Sequence, residues 1–429
     1  MIKQIIFFVR LIYIILSETI LFLIFKNKEN SVIRFTTRLS NINMLYVKIF
    51  QALALNISFI DEEIDTKLVR FTDHAPFTIE DIDFKTLYEV SIENNIVFID
   101  GYNKPINSGM ISLVFKAHDV NGKKLAVKIK RLNIDKTLED AIDNLLFVTN
   151  LFFKGTQIYE IVYKNINTIR NQTDFTSEIQ NMIHFSENCK NLDYIIVPSV
   201  IESITRKNEN VIVMDYIESV KLSELTSDEK LQYAEKVIKL GFVTLFIHGF
   251  IHCDLHPGNI LFVKNENENE NENENKLGIL DFGIVSTLNP DFKELIYNLV
   301  VGLDITNVSF DELAENCLLS GIIEPVDIIR NIPKKQFIII KKILSETLSA
   351  IANDTNQIHV YKFIDELNKL MDTNDFKHLQ LKPSNDFVKL QLVIAMSHGI
   401  TKKLCGDNCI PLVDKVLRDL FRVDLIFDD

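Results

Sequence analysis

The sequence contains no tryptophan and only five cysteines, with 13 glycines and 9 prolines in 429 residues. So little glycine and proline excludes a collagen-like repeat and extensive disorder. The cysteines (Cys189, Cys253, Cys317, Cys405 and Cys409) are odd in number and lack CxxC spacing, which argues against a disulfide framework. They read as ordinary reduced thiols in a reducing compartment. Basic residues are also in deficit, 46 Lys and Arg against 59 Asp and Glu, for a formal charge of −13. Without a broad basic face, nucleic acid is not an expected partner. What the chain has in quantity is apolar side chains, 47% with 30 phenylalanines, enough to fill a sizeable core.

Residues 5–25, IIFFVRLIYIILSETILFLIF, are almost wholly apolar and about long enough to span a bilayer. Arg10 and Glu18 interrupt them, and each would cost roughly 2.5–3.5 kcal/mol near the centre of a spanning helix. At helical spacing the polar residues form a narrow stripe, which suits an interfacial or protein-packed helix. A buried helix of a soluble unit and a cleaved or spanning segment are the alternatives. No small-residue cleavage site follows Phe25. The last residues, LRDLFRVDLIFDD, predict no spanning helix, so membrane contact is expected from the N-terminal segment.

Residues 30–100 are expected to be helical, from apolar three-and-four spacing in LYVKIFQALAL and EIDTKLVRFTDH. Near residue 105 the pattern changes: SLVFKAHDV and KLAVKIKR read as strands joined at Asn121-Gly122, a hairpin signal. Helices are expected over 138–168 and 175–189, then strands in IIVPSVIES and NVIVMDYI, then helices to the end. Residues 265–275 alternate Asn and Glu and read as a solvated, disordered loop. The expected divisions are a membrane-associating helix (1–29), a helical extension (30–100), a strand-rich lobe with a helical insert (101–216) and a helical lobe (217–429).

The most informative stretch is IHCDLHPGNILFV, followed beyond the repeat by LGILDFGIV. Asp254 and Asn259 are five apart, and Asp281-Phe282-Gly283 begins 27 residues after Asp254, or 16 once the 11-residue repeat is set aside. Kinases use this order: an Asp near the acceptor, then an Asn and the DFG Asp on a metal. Polyphosphate must be held by hard divalent cations, which prefer oxygen ligands. Upstream, Lys128 alternates with Leu125, Val127 and Ile129, so it points to the opposite face of its strand. Singly, Lys128 reads as a solvated strand lysine and Glu178 as a surface helix glutamate. Taken in order with Asp254, Asn259 and Asp281, they read as the lysine and carboxylate of a nucleotide site. Met214 would approach the adenine or simply fill core, and the Asp215–Ile217 backbone would offer hydrogen bonds. Gly109, in Asn107-Ser108-Gly109-Met110, would let the backbone come close to phosphates.

These residues resemble the UbiB-type atypical kinase-like family over nearly the whole chain. HCDLHPGN matches the family's HxDxHPGN, DFTSEIQN its xDYxxEAxN helix, and PINSGMISLVFKA its PxAxASIAQVxxA loop and strand. YVKIFQALA matches its KxGQ segment. The resemblance implies an α+β, bilobal protein-kinase-like fold with a helical N-terminal extension. It implies nucleotide contacts at Lys128, Glu178, Ser108, Gly109, Met214 and Asp215. Asp254 would take the catalytic-loop position, and Asn259 and Asp281 would hold Mg²⁺ or Mn²⁺ with ATP or ADP. Lys48, Gln51 and Asp174 would belong to the regulatory extension. His252 and His256, flanking Asp254, are expected to make structural hydrogen bonds.

Three departures stand out: Phe50 replaces the KxGQ glycine, Gln172 replaces the glutamate two before Asp174, and the loop around Gly109 lacks the family's alanines. The expected activity is Mg-dependent phosphoryl transfer or ATP hydrolysis linked to membrane lipid or ubiquinone-type metabolism. Expected partners are MgATP and a membrane lipid or lipid-pathway protein, at an intracellular membrane. A catalytically weak nucleotide-binding scaffold is the alternative. A conventional peptide kinase fits less well, since IVSTLNPDFKELI follows DFG where an APE motif would stand.

Overall fold

The computed structural model describes residues 2–43, 45–46, 75–154, 159, 163, 166, 170–171, 173–264, 275–301, 309–353, 366–367, 369–371, 373, 375–384, 386–387, 400–406 and 409–424. Lys48, Phe50, Gln51, Gln172 and repeat residues 265–274 lie outside them. The fold is α+β and kinase-like with a helical N-terminal region. It divides into two compact units, Met1–Ile183 with Pro198–Tyr216, and His184–Val197 with Ile217–Asp429.

The first unit opens with helix α1 (Ile2–Phe25), which Lys26 ends in a left-handed conformation before α2 (Lys28–Ser40). Glu18, buried on α1, is held by both α2 arginines: Oε2 accepts from Arg34 Nε at 3.0 Å and Oε1 from Arg38 Nη1 at 3.0 Å. That pairing satisfies a carboxylate that would otherwise be costly inside an apolar helix. After α3 (Phe84–Asn94) come β1 (Val97–Phe98), β2 (Asn107–Ser108), β3 (Ser112–His118) and β4 (Lys124–Lys130). The β3–β4 hairpin turns at Asn121-Gly122, where Gly122 has φ +80. Helices α4 (Ile134–Phe152) and α5 (Phe175–Asn188) follow. Beyond β5 (Ile195–Ile196), which belongs to the second unit, come α6 (Glu202–Lys207) and β6 (Val211–Asp215). The antiparallel sheet runs β1-β3-β4-β6, with β2 on β3. One face buries Leu113, Phe115, Leu125, Val127 and Val213 against Leu87 and Val90 of α3. The other face sets Ile212 against Phe175 and Ile179 of α5. A separate core joins α1, α2 and α4 through Phe7, Ile14, Leu39, Leu138 and Ile142.

Two local expectations change. The sheet begins at Val97, earlier than the pattern suggested, because Phe98 packs edge-on against Phe115 and Tyr102. IIVPSVIES is not one strand: Ile195–Ile196 pairs parallel in the second unit's sheet, while Glu202 opens α6. Pro198 has no N–H to continue a ladder.

In the second unit, α7 (Ser227–Phe242) runs into a π-helical turn, Val243–His248. Gly249 ends that turn at φ +63, a backbone conformation that other L-residues rarely adopt. It launches β7 (Phe250–His252). The hairpin β8 (Ile260–Val263) and β9 (Lys276–Ile279) flanks the repeat, and β10 (Val285–Thr287) pairs antiparallel with β7. A helical core follows, built on Phe246, Phe292, Leu318, Ile340 and Leu344. Cys405 is disulfide-bonded, against the reduced-thiol reading.

Candidate nucleotide and metal site

Lys128 lies on β4, on the face turned to α5, and Glu178 lies one turn into α5. Their spacing of 50 residues closes into a buried ion pair, Lys128 Nζ to Glu178 Oε1 at 2.6 Å, with side chains 9% and 4% exposed. The Phe175 ring covers the ammonium, 5.3 Å from its centroid. A lone charge could not persist there; the pair can, with Lys128 charged and fixed in direction. Asp174 accepts from Ser177 N–H at 3.0 Å and Ser177 Oγ at 2.7 Å, anchoring the start of α5. Burial works to raise its pKa, but hydrogen bonds from Ser177 and Thr176 outweigh it and hold the carboxyl below its usual range.

Met214 is buried and opposite Ala126 in the β4–β6 register. The N–H of Asp215 donates to Ser199 O and that of Tyr216 to Lys124 O, so those two donors of the expected hinge are already engaged. The Asp215 carboxylate pairs with Lys123 at 2.5 Å. Ser108 is buried, and its hydroxyl donates to Ala75 O at 2.7 Å. Gly109 N–H donates to Ser112 O, closing the turn into β3.

Asp254, Asn259 and Asp281 belong to the second unit. His252 is buried with both ring nitrogens used. Nδ1 accepts the Asp254 N–H at 3.2 Å, so the proton sits on Nε2, which donates to Leu280 O at 3.0 Å. Burial holds its pKa below the usual histidine value, despite nearby carboxylates. His252 therefore sets backbone geometry on both sides of the site as a neutral ring. Asn259 Nδ2 donates to Asp254 O at 2.8 Å and lies 3.1 Å from His256 Nε2. His256 Nδ1 in turn accepts Gly258 N–H at 3.1 Å. With its amide nitrogen committed, Asn259 has its oxygen as the end for a cation. Asp281 adopts a left-handed backbone (φ +58), unusual for a non-glycine residue and tolerated by Asp. Its Oδ1 accepts Gly283 N–H at 3.3 Å. An amide and a carboxylate oxygen are hard donors that suit Mg²⁺. Among the described residues no group of three or more His, Cys, Asp or Glu converges.

Sequence reasoning did not find the ring column beneath this loop. Phe185 and Phe282 meet at 5.0 Å between centroids, and His252 lies 5.1 Å from Phe282 and 6.4 Å from Phe185. All three are buried. The available signal was Phe282 itself, between the site's Asp and Gly.

Residues 71–315, more than half of the chain, match the family model described as the ABC1 atypical kinase-like domain. The probable protein kinase UbiB of Marinobacter nauticus is 28% identical over 273 residues, covering 60% of this chain and 48% of that protein. The probable serine/threonine-protein kinase abkB of Dictyostelium discoideum is 28% identical over 279 residues, covering 60% and 40%. The chain thus spans about half the length, or less, of these curated relatives. In structure it is similar to the Rv3197–erythromycin complex from Mycobacterium tuberculosis, with TM-score 0.52 and 17% identity, covering 92% of this chain and 98% of that one.

Proposed function

We propose that this chain, which belongs to the ABC1 atypical kinase-like family of UbiB-type proteins, binds MgATP and transfers or hydrolyses its terminal phosphoryl group. The observation that carries the reading is the buried Lys128–Glu178 pair at 2.6 Å. Lys128 would neutralise the α/β-phosphates, and Glu178 keeps it charged and aimed. Asn259 and Asp281 would hold Mg²⁺, which spreads the charge that builds on the transferring group. Asp254 would sit beside the acceptor or attacking water, its main chain fixed by His252 and Asn259. The test is MgATP turnover by purified protein, with and without vesicles. Turnover supports the enzyme; saturable binding without phosphate release supports the scaffold alternative.

A membrane surface is the proposed setting. By length and composition α1 is apolar enough to cross a bilayer. Yet Glu18 ties it to α2, while Ile2, Ile6, Val9, Tyr13, Leu16, Ile20 and Leu23 repeat at alternating three-and-four spacing along an exposed stripe. That arrangement suits a helix lying in the interface, apolar face down. Val9→Glu/Leu16→Glu, at sites 60% and 59% exposed, should leave the fold intact. It should weaken vesicle binding at least about tenfold, since each carboxylate costs more than the ~1.4 kcal/mol a decade requires. Undiminished co-sedimentation with vesicles would rule this face out.

A further inference from the structure

Arg131 stands just past β4, three residues beyond Lys128, and is only 4% exposed. Each of its five guanidinium N–H donors has an acceptor within reach. Nε donates to Gly109 O at 2.9 Å. Nη1 reaches Pro76 O at 3.1 Å and Asp81 Oδ2 at 3.3 Å. Nη2 reaches Ser108 Oγ at 2.9 Å and Ala75 O at 3.4 Å. The tie is reinforced between the two segments themselves: Ala75 N–H donates to Ser108 O at 2.8 Å, and Ser108 Oγ donates to Ala75 O.

An apolar side chain of similar volume would fill this space but leave its main-chain acceptors and the Asp81 carboxylate without their donor, which costs stability. It could not gather main-chain carbonyls from two separate segments and a carboxylate from a third. Only a planar fork does that. We infer that Arg131 is a positioning residue: it fixes the Ser108–Gly109 loop that would face the nucleotide phosphates and couples that loop to the Ala75–Pro76 segment. The inference rests on the nucleotide reading above. Arg131 draws the Gly109 carbonyl, and Ala75 the Ser108 carbonyl, to itself, so neither dipole is left to repel an anionic ligand. Because β4 is one rigid strand, Lys128 and the Arg131 clamp keep a fixed separation of about 10 Å. A shift at Ala75–Pro76 therefore moves the loop relative to the lysine.

The test titrates MgADP into wild type, Arg131→Lys and Arg131→Met, each held well below its own melting temperature, with amide hydrogen exchange followed in parallel. Arg131→Lys keeps the charge facing Asp81 and loses the fork; Arg131→Met keeps the volume and loses both. Both variants should bind MgADP about tenfold or more weakly, whatever their melting temperatures. In wild type, MgADP should slow exchange at residues 75–78 together with 107–112, and in the variants protection at 75–78 should be lost. Wild-type affinity in Arg131→Lys, or protection in wild type that stops at the loop, would overturn the inference while leaving nucleotide binding intact. If wild type binds no MgADP, the nucleotide reading falls and the inference falls with it. Should either variant fail to fold, wild-type exchange alone decides.

Discussion

Glu178→Ala is expected to lower the unfolding free energy by about 3–5 kcal/mol, the cost of stranding one member of a buried ion pair. For a unit of this size that is a fall in melting temperature of roughly 6–20 °C. The size of the effect follows from burial: Lys128 loses its 2.6 Å partner where water cannot replace it. A second variant separates stability from function. Lys128→Met/Glu178→Leu removes both charges and keeps the volume, so it should recover most of the lost stability. It should nevertheless bind MgATP no better than Glu178→Ala. Thermal melts and nucleotide titrations on the three proteins check this. A double variant as unstable as the single one would mean that the helix and strand depend on the pair itself.

Asp281→Asn should reduce Mg-dependent turnover by at least about 100-fold, the scale expected when one electrostatic element acting on a transferring group is removed. The fold should survive. Asn tolerates the left-handed backbone that Asp281 adopts at φ +58, and its side-chain oxygen can still accept from Gly283 N–H. The loss would then be one of charge rather than of shape. Turnover measured against Mg²⁺ concentration is the readout. A variant that regains wild-type rate at high Mg²⁺ would place Asp281 in metal affinity alone, while unchanged turnover at all concentrations would remove it from the site.

The fold was legible where chemistry and periodicity agree. Lys128 alternates with apolar residues, and Asn121-Gly122 marks the hairpin before it, so strand, turn and side-chain direction could all be read locally. The HxDxHPGN and DFG segments marked the candidate residues of the second unit in the same way. What stayed hidden was set by distant partners. Glu18 reads as an interruption of an apolar helix until Arg34 and Arg38 arrive from α2. Arg131 reads as one more basic residue after a strand. Its five acceptors come from residues 22 to 56 positions away, which no local pattern encodes. IIVPSVIES has strand-like composition throughout, yet Pro198 divides it between two units.

The most direct measurement is a calorimetric titration of MgATP into wild type and Lys128→Met. Saturable, Mg-dependent binding is expected in wild type, with an affinity at least about tenfold weaker in the variant, the equivalent of losing ~1.4 kcal/mol from a charge-assisted phosphate contact. Absence of binding in wild type, or equal binding in both, would contradict the nucleotide reading.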